Sequence, residues 1–372
     1  MKVMFCLPDM TALGVQRVVA ALAHAWPRDR VPLAICLHER RGELLETLPR
    51  GVEVLALSEL GPDLPKLRVL ARPLLHARAI AAARPDAIVS FVPGDNLSLL
   101  ALRQRPPLAV SEHIHVSSQL ADYPLRFRLP YVALFPRWYP KADAVVCIAE
   151  ESREDLVSRW KIPRAKTVVI HNPVDLAAVR TGGAQPAAFP WPEGPVIVCA
   201  GRLARQKRLD RLLDAFAIVR RTLPAARLAL LGDGPLRAEL EARARPFGDA
   251  VWFAGFEANP WRYIAKAQVL ALSSDYEGFP CVLAEALALG TPIVSTACPS
   301  GPRELLDGGR AGLLVEELSA EALAVGLLAA LQDPAAARAR AQHGRAFVER
   351  YTARAVAAQY VALCEQLTTA RP

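Results

Sequence analysis

Short apolar runs alternate with segments of helical periodicity along this chain, and this alternation constrains its fold more than any other feature. Residues 1–7 form such a run, and they lead through a turn to a helix whose apolar positions, from Val15 to Trp26, recur at helical spacing. Strands that alternate with helices build parallel, doubly wound sheets. We therefore predict an α/β fold, with further strands in the first half at 33–37, 52–57, 87–91, 108–111 and 144–148, and a helix at 67–83.

The alternation breaks between residues 181 and 195, where four prolines and three glycines occur together. Such a stretch favours neither a helix nor a strand, and we predict a linker there. The pattern then restarts, and a chain of 372 residues has room for two domains. We expect a Rossmann-like domain over 1–180, a second one over 196–350, and a C-terminal helix over 351–372 that can pack back on the first domain. Predicted strands of the second half lie at 196–200, 228–231, 251–253, 269–272 and 293–296.

Cysteine usage and charge limit the classes of protein. The seven cysteines are scattered, show no metal-type spacing and lie mostly in apolar runs, as in a cytosolic protein with reduced thiols. No leader and no apolar stretch long enough to span a membrane is recognisable, so we expect a cytoplasmic protein. The first 180 residues carry a net charge of +6 and the remainder +2. This basic half suits an anionic membrane surface or a phosphorylated substrate, whereas nucleic acid is not expected because no recognition motif occurs.

An acidic segment from Glu277 to Glu285 is the first candidate for chemistry. Pro280 suits the first position of a helix, so the amides of residues 281–283 should be free to bind an anion. The helix is otherwise apolar on all sides, which predicts that Glu285 is buried and needs a hydrogen-bond donor. A ligand hydroxyl could be that donor. The alternative is a loop Glu277 and a core Glu285 that pairs with an arginine of the protein.

A basic loop, residues 201–207, follows a predicted strand and precedes a helix. Arg202 and Lys207 should thus lie at the carboxyl end of the sheet, where two cations can neutralise a diphosphate. The alternative is a solvated loop, since Arg205 and Arg208 share the neighbourhood. Neither a dinucleotide-binding nor a P-loop motif occurs. No Asp-x-Asp occurs either, so we expect no metal site and no metal-bound diphosphate.

Together these motifs resemble the nucleotide-sugar half of the retaining glycosyltransferases of family 4. The resemblance covers residues 196–316 and includes Gly201-Arg202-x4-Lys207, Glu277-x7-Glu285, Gly-Thr-Pro-Ile-Val-Ser at 290–295 and Gly-Leu-Leu-Val at 312–315. The first half resembles the family more loosely, through Gly14-Val-Gln-Arg, Ser111-Glu-His113 and Asn172-Pro-Val-Asp175. The family has the GT-B fold, in which two Rossmann-like domains face each other across a cleft.

The resemblance implies roles for individual residues. Glu285 would accept hydrogen bonds from the ribose and Glu277 from the donor hexose, while Arg202 and Lys207 bind the diphosphate. His113 would approach the hexose, with His115 and His171 as competing candidates. The remaining donor-binding residues implied are Gly14 in the glycine loop, Gly255 and Phe256 at the base, and Gly278, Phe279, Pro280, Val282 and Leu283 at the start of the helix.

The implied activity is retaining, metal-independent transfer of a hexose or N-acetylhexosamine from a nucleoside diphosphate to a sugar acceptor. No cofactor beyond the donor is expected. The segment 298–304 resembles that of enzymes using uridine-linked sugars and lipid-linked or surface polysaccharide acceptors. Residues 123–141 mix aromatic, aliphatic and basic side chains, which indicates peripheral contact with an anionic membrane at its cytoplasmic face, or else a core helix with basic edges. Two rivals stay open: a sugar-nucleotide epimerase on the same fold and a non-catalytic nucleotide-sugar-binding subunit.

Overall fold

The computed structural model describes residues 1–11, 14–61 and 68–370. Residue 67, predicted to begin a helix, and residues 371–372 at the end of the predicted C-terminal helix lie outside this part. The chain divides into two compact units, residues 1–173 with 351–372, and residues 174–350. In the described ranges, no helix has the length and apolar character that crossing a membrane requires.

Unit 1 contains a seven-stranded parallel sheet in the order β3-β2-β1-β4-β5-β6-β7. Every residue of the two central strands β1 and β4 is buried, as in a sheet covered by helices on both faces. Its strands are β1 Val3–Leu7, β2 Leu33–Leu37, β3 Glu53–Ala56, β4 Ala87–Ser90, β5 Leu108–Glu112, β6 Ala144–Cys147 and β7 Thr167–Val169. Its helices are α1 Gly14–Ala25, α2 Arg68–Ala83, α3 Pro93–Leu100, α4 Val116–Ala121, α5 Leu125–Trp138, α6 Glu150–Ser158 and, at the end of the chain, α15 Ala353–Thr369.

Unit 2 contains a six-stranded parallel sheet in the order β10-β9-β8-β11-β12-β13. These strands are β8 Val196–Ala200, β9 Arg227–Leu231, β10 Val251–Gly255, β11 Val269–Leu272, β12 Ile293–Thr296 and β13 Leu313–Val315. The helices are α7 Leu176–Gly183, α8 Leu209–Thr222, α9 Arg237–Ala244, α10 Trp261–Ile264, α11 Cys281–Leu289, α12 Pro302–Leu305, α13 Ala320–Gln332 and α14 Pro334–Phe347. The α/β fold with two doubly wound sheets is confirmed.

The strand order reverses once in each sheet, between β1 and β4 in unit 1 and between β8 and β11 in unit 2. At such a point the loops that leave the two neighbouring strands diverge and open a crevice at the carboxyl edge. The basic loop follows β8 and the acidic segment follows β11, so the topology brings both to one place.

The predicted linker begins differently from our expectation, because residues 181–183 belong to helix α7. Asp175 caps this helix by accepting a hydrogen bond from the Ala178 amide at 3.0 Å. A Cβ atom at Gly182 would lie 2.5 Å from the ring of Trp261, so the glycine permits close packing of α7 on α10. The two units divide between residues 173 and 174. Gly182 is therefore required for helix packing and does not mark the start of a linker.

The C-terminal helix α15 belongs to unit 1 and packs against α1. Val356, Ala357 and Tyr360 share one buried core with Phe5 and Val19. Unit 1 therefore contains both ends of the chain.

Candidate functional site

The basic loop after β8 is held in place by hydrogen bonds to the end of β9 and to the turn that follows β9. The Gly201 amide donates to the Leu231 carbonyl at 2.9 Å, and the Leu203 amide donates to the Asp233 carbonyl at the same distance. A Cβ atom at Gly234 would lie 2.5 Å from the Leu203 carbonyl oxygen. The turn Gly232-Asp233-Gly234 is thus a backbone support for the basic loop.

Arg202 and Lys207 line one pocket at the carboxyl edge of β8, together with side chains at the ends of β8 and β11. The Arg202 side chain is exposed and makes no hydrogen bond or ion pair with any residue that the structure describes. Arg205 is exposed too but does not line this pocket. Arg208 is a structural residue, since it pairs with Asp210 at 3.0 Å and with Asp275 at 3.1 Å.

Lys207 and Glu277, which we expected to contact different parts of a donor, contact each other. The Lys207 Nζ donates to Glu277 Oε1 at 2.7 Å, and Ser274 Oγ donates to the same oxygen at 2.5 Å. Burial alone would lower the pKa of Lys207, but the charge of Glu277 and its hydrogen bond outweigh burial and raise that pKa above its usual value. The side chain of Glu277 is 6% exposed, so its charge requires this partner.

The start of α11 differs from our prediction. Pro280 has φ −70° and ψ 90°, so it is the N-cap and the helix begins at Cys281. The Leu283 amide donates to the Pro280 carbonyl at 2.9 Å and is not available to a ligand. The amides of Cys281 and Val282, by contrast, donate to no acceptor within residues 1–11, 14–61 and 68–370. These two amides point out of the helix start, where an anion is stabilised.

Glu285 is half-buried, not buried as we expected. The buried positions of α11 are Leu283, Ala284, Ala286, Leu287 and Ala288. One face of the helix is therefore only partly buried, although all its other residues are apolar, and Glu285 lies on that face. Glu285 is thus less buried than the composition of the helix predicts.

A second loop, residues 298–301, holds the turn before α11. Ser300 Oγ donates to the Gly278 carbonyl at 3.0 Å, and the Glu277 amide donates to the Pro299 carbonyl at 3.0 Å. Gly301 has φ +96°, and a Cβ atom there would lie 2.5 Å from Pro280 Cδ. Gly278, Phe279 and Pro280 are buried beneath this contact. Apart from the run of Pro, Ser and Gly, nothing in the sequence predicts this support.

Gly255 and Phe256 lie at the end of the edge strand β10. Gly255 has φ +78°, and its carbonyl accepts a 2.7 Å hydrogen bond from the Gly232 amide. Phe256 follows with 74% of its surface exposed. A large exposed aromatic side chain at the ligand-binding edge of a sheet offers a flat surface for stacking.

In unit 1, His113 follows β5 and is half-buried. Its Nε2 lies 3.0 Å from Ser111 Oγ, while its Nδ1 is buried without a hydrogen-bond partner in the described part of the chain. Burial lowers the pKa of His113 to about 4, so the ring is neutral at pH 7. His115, a competing candidate, is used as the cap of α4, where its Nδ1 accepts from the Ser118 amide. His171 packs on the ring of Tyr351.

Gly14 is the exposed first residue of α1, and residues 12–13 before it lie outside the described part. Residues 9–11 are held in place by Asp9, which the sequence analysis did not single out. Asp9 Oδ1 accepts from the Thr11 hydroxyl at 2.8 Å and from Gln16 Nε2 at 3.2 Å, and Arg41 donates to the other oxygen at 3.1 Å.

Glu112, next to His113, was also missed. It is buried at the end of β5, where the Tyr139 hydroxyl and Asn96 Nδ2 both donate to its Oε1. Burial raises its pKa from 4.5 to about 7, although both hydrogen bonds act in the opposite direction.

Two family models match the two halves of the chain. The model for glycosyltransferase family 4 matches residues 13–178, and the model for glycosyl transferases group 1 matches residues 194–333.

Curated relatives match over part of their length. The N-acetylgalactosamine-N,N'-diacetylbacillosaminyl-diphospho-undecaprenol 4-alpha-N-acetylgalactosaminyltransferase of Campylobacter jejuni is 34% identical over 197 residues, 52% of this chain and 52% of that protein. The lipopolysaccharide 1,6-galactosyltransferase of Salmonella typhimurium is 31% identical over 46% of this chain and 48% of that protein. The chain thus spans about half the length of these relatives.

Solved structures match over nearly the whole chain. Anabaena HepE, crystallised in complex with UDP, has a TM-score of 0.77 at 22% identity and covers 98% of this chain and 100% of its own. Sucrose-phosphate synthase from Thermosynechococcus elongatus has a TM-score of 0.79 at 21% identity over the full length of both chains. At such identities the likeness establishes the fold, which is of the GT-B type. The matches of these two family models to the two halves of the chain show that it belongs to the family 4-type glycosyltransferases.

Proposed function

We propose that the protein is a retaining, metal-independent glycosyltransferase that moves a hexose or N-acetylhexosamine from a uridine diphosphate sugar to a lipid-linked oligosaccharide or polysaccharide acceptor. The observation that carries this proposal is the positive edge of the sheet in unit 2. Three groups lie around the carboxyl ends of β8 and β11: the Arg202 side chain, which has no ion-pair partner among the described residues, the Nζ of Lys207, and the two amides at the start of α11.

This edge suits a diphosphate leaving group. Glycosyl transfer develops positive charge on the sugar while negative charge builds on the departing phosphate oxygens. Fixed cations and helix amides that face these oxygens lower the barrier, since they are in place before the charge develops. Arg202 and Lys207 would supply the neutralisation that other enzymes obtain from a bound cation. The reaction would therefore need no metal ion.

The nucleoside would occupy the same edge. Phe256 would stack on the base, and Glu285, on the partly buried face of α11, would accept hydrogen bonds from the ribose hydroxyls. The choice of uridine is supported by the solved relative HepE, which was crystallised with UDP. The choice of a lipid-linked acceptor is supported by the Campylobacter relative, whose name specifies a diphospho-undecaprenol acceptor. The role of His113 stays a prediction.

Nucleotide-dependent thermal shifts followed by turnover would test this proposal. UDP, GDP and ADP sugars are compared first as stabilising ligands, and UDP release is then measured with and without lipid-linked and oligosaccharide acceptors. We expect UDP sugars to stabilise the protein and UDP release to depend on an acceptor. Conversion of the donor without any acceptor would favour the epimerase, and binding without turnover would favour the non-catalytic subunit. No stabilisation by any donor would contradict the proposal.

We further propose that residues 123–141 contact an anionic membrane surface. Helix α5 exposes Leu125 by 66% and Leu129 by 59%, while Arg126 and Arg128 are exposed on the same stretch. Apolar side chains flanked by arginines suit the boundary between lipid head groups and acyl chains. Phe135 is buried and ties the second half of α5 to unit 1. A core helix with basic edges would not leave both leucines in solvent.

Sedimentation with liposomes tests this contact. We expect the protein to bind vesicles that contain anionic lipid at low salt and to lose binding in the variant Leu125→Ser with Leu129→Ser. Leu74→Ser is the matched control, because Leu74 is 58% exposed on α2. Equal binding of all three proteins would contradict the contact.

A further inference from the structure

A cluster of metal-ligating side chains lies buried in unit 1 and contains none of the residues assigned above. The parallel register of β1 and β2 places Cys6 directly beside Cys36. His76 on α2 covers the pair, and the exposed fraction of each of the three residues is at most 1%. One ligand atom from each of them, Cys6 Sγ, Cys36 Sγ and a His76 ring nitrogen, lies within 4.8 Å of the other two. Strand pairing and helix packing thus bring three soft ligands together.

Asp95, in the first turn of α3, lies beside this group, although no oxygen of its carboxylate is within 4.8 Å of all three ligand atoms. Its Oδ1 lies 3.7 Å from His76 Nε2 and also contacts His38 Nε2. Its Oδ2 is buried and has no hydrogen-bond partner among the described residues. A fully buried carboxylate oxygen without a donor is rare in proteins, and a bound ion is one of its standard explanations.

The orientation of His76 fits a ligand. Its Nδ1 lies 2.8 Å from Ser98 Oγ, which fixes the ring and leaves Nε2 towards Asp95. Histidines that bind metals are typically held in this way, by a hydrogen bond at the nitrogen that does not bind. His38 is 24% exposed and is the member of this group that reaches solvent, so an ion can enter past its ring.

We propose that Cys6, Cys36 and His76 bind a zinc ion and that a rotation of the Asp95 side chain brings its Oδ2, which has no partner among the described residues, into the fourth position. Two thiolates, one imidazole and one carboxylate match the ligand types and the number that Zn²⁺ takes in tetrahedral structural sites. On binding, each thiol releases its proton to solvent and each sulfur donates an electron pair to the ion. The site would join β1, β2, α2 and α3, and it would be structural. It is therefore independent of the sugar-transfer chemistry proposed above, which needs no metal.

The test uses the full chain, reduced and freed of metal with a chelator, and titrated with Co²⁺ as a spectroscopic probe. We expect one equivalent of Co²⁺ to bind with thiolate-to-cobalt charge-transfer absorption and the strong visible bands of a tetrahedral ion. Zn²⁺ should displace it and raise the melting temperature. Wild-type protein that shows no thiolate-to-cobalt band would overturn the proposal, and so would binding of Co²⁺ without displacement by Zn²⁺.

Variants assign the ligands. Cys36→Ser and His76→Gln should weaken Co²⁺ binding at least tenfold and change its spectrum. Cys147→Ser is the matched control, because Cys147 is a buried thiol on β6 of the same unit and outside the cluster. An equal loss in Cys147→Ser would refute the assignment. If the two ligand variants do not fold, the titration of the wild-type protein still decides. A Cys6–Cys36 disulfide in the chain as purified, with no Co²⁺ binding after reduction, would also overturn the site.

Discussion

The contact between Lys207 and Glu277 makes a strong prediction about stability as well as function. In the variant Lys207→Met, the Glu277 carboxylate stays in a site where 6% of its side chain is exposed, with Ser274 as its remaining donor. Removal of one partner of a buried ion pair costs about 3–5 kcal/mol, because the other charge is left uncompensated. The Lys207 side chain is 22% exposed, so water screens part of this cost. We expect a loss of about 3 kcal/mol, at the lower end of that range.

The double variant Lys207→Met with Glu277→Gln separates the two effects. It removes both charges, and the amide of Gln can still accept the hydrogen bond from Ser274. We expect its stability to return to within about 1 kcal/mol of the wild type. Its stabilisation by a UDP sugar should stay lost, because the cation that faces the diphosphate is gone.

Urea unfolding gives the stabilities, and the shift in melting temperature with UDP sugar gives the binding. The reasoning is refuted if Lys207→Met is as stable as the wild type, since Glu277 would then not need its partner. It is refuted equally if the double variant is stabilised by donor as much as the wild type, since Lys207 would then not contact the diphosphate.

Three further predictions follow from the same structure. Arg202→Ala should weaken UDP binding by about tenfold, or about 1.4 kcal/mol. Arg205→Ala, outside the pocket, should leave UDP binding nearly unchanged when both variants are titrated with UDP. Glu112→Gln should stabilise the protein above pH 7 by about 3 kcal/mol and hardly at all below pH 4.5. The reason is that the pKa of Glu112 is raised to about 7 in the fold, so the wild type loses stability as the pH rises from 4.5 to about 7. Melting curves of both proteins across this pH range test the prediction. Gly301→Ala, with φ +96° and a Cβ atom against Pro280, should cost about 2 kcal/mol and lower the melting temperature.

The strands could be predicted from the sequence because a fully buried parallel strand is a short apolar run between turns. Strands 33–37, 196–200, 269–272 and 293–296 have the predicted bounds. Helix α7 could not be predicted in the same way, because Gly182 and Gly183 are required by contacts with residues that are distant in sequence. Their close contacts with Trp261 and Leu289 become visible only in the fold.

The candidate site, too, could be predicted only in part from the sequence. The loops that form it could be predicted, since each follows a strand at the carboxyl edge. The partners within it could not, because Lys207 and Glu277 are 70 residues apart and meet only through the strand order. Full burial of Glu285 was predicted from composition alone, whereas the side chain is half-buried, since an apolar helix need not be covered on all sides. The cluster around Cys6 and Cys36 could not be predicted for a similar reason, because its ligands come from four elements and show no metal-type spacing in the sequence.

The ion pair with Glu277 does not prevent Lys207 from binding a phosphate. An ammonium group has three donors, so one can stay on Glu277 while the others face the pocket that Lys207 lines. A long side chain held in this way loses less freedom when a ligand arrives. Glu277 would therefore position the cation for the charge that develops on the leaving group.

This interpretation predicts an asymmetric effect of Glu277→Gln. The amide keeps the contact with Ser274 but no longer holds Lys207 by charge, so a donor can still recruit the lysine, at a cost in its alignment. We expect kcat for UDP release to fall roughly tenfold, with a smaller change in KM, because small losses of alignment at a reacting centre slow the reaction strongly. An unchanged kcat would mean that Glu277 stabilises the fold of unit 2 and does not position Lys207. A rise in KM alone would place Glu277 on the donor itself, as the resemblance first implied.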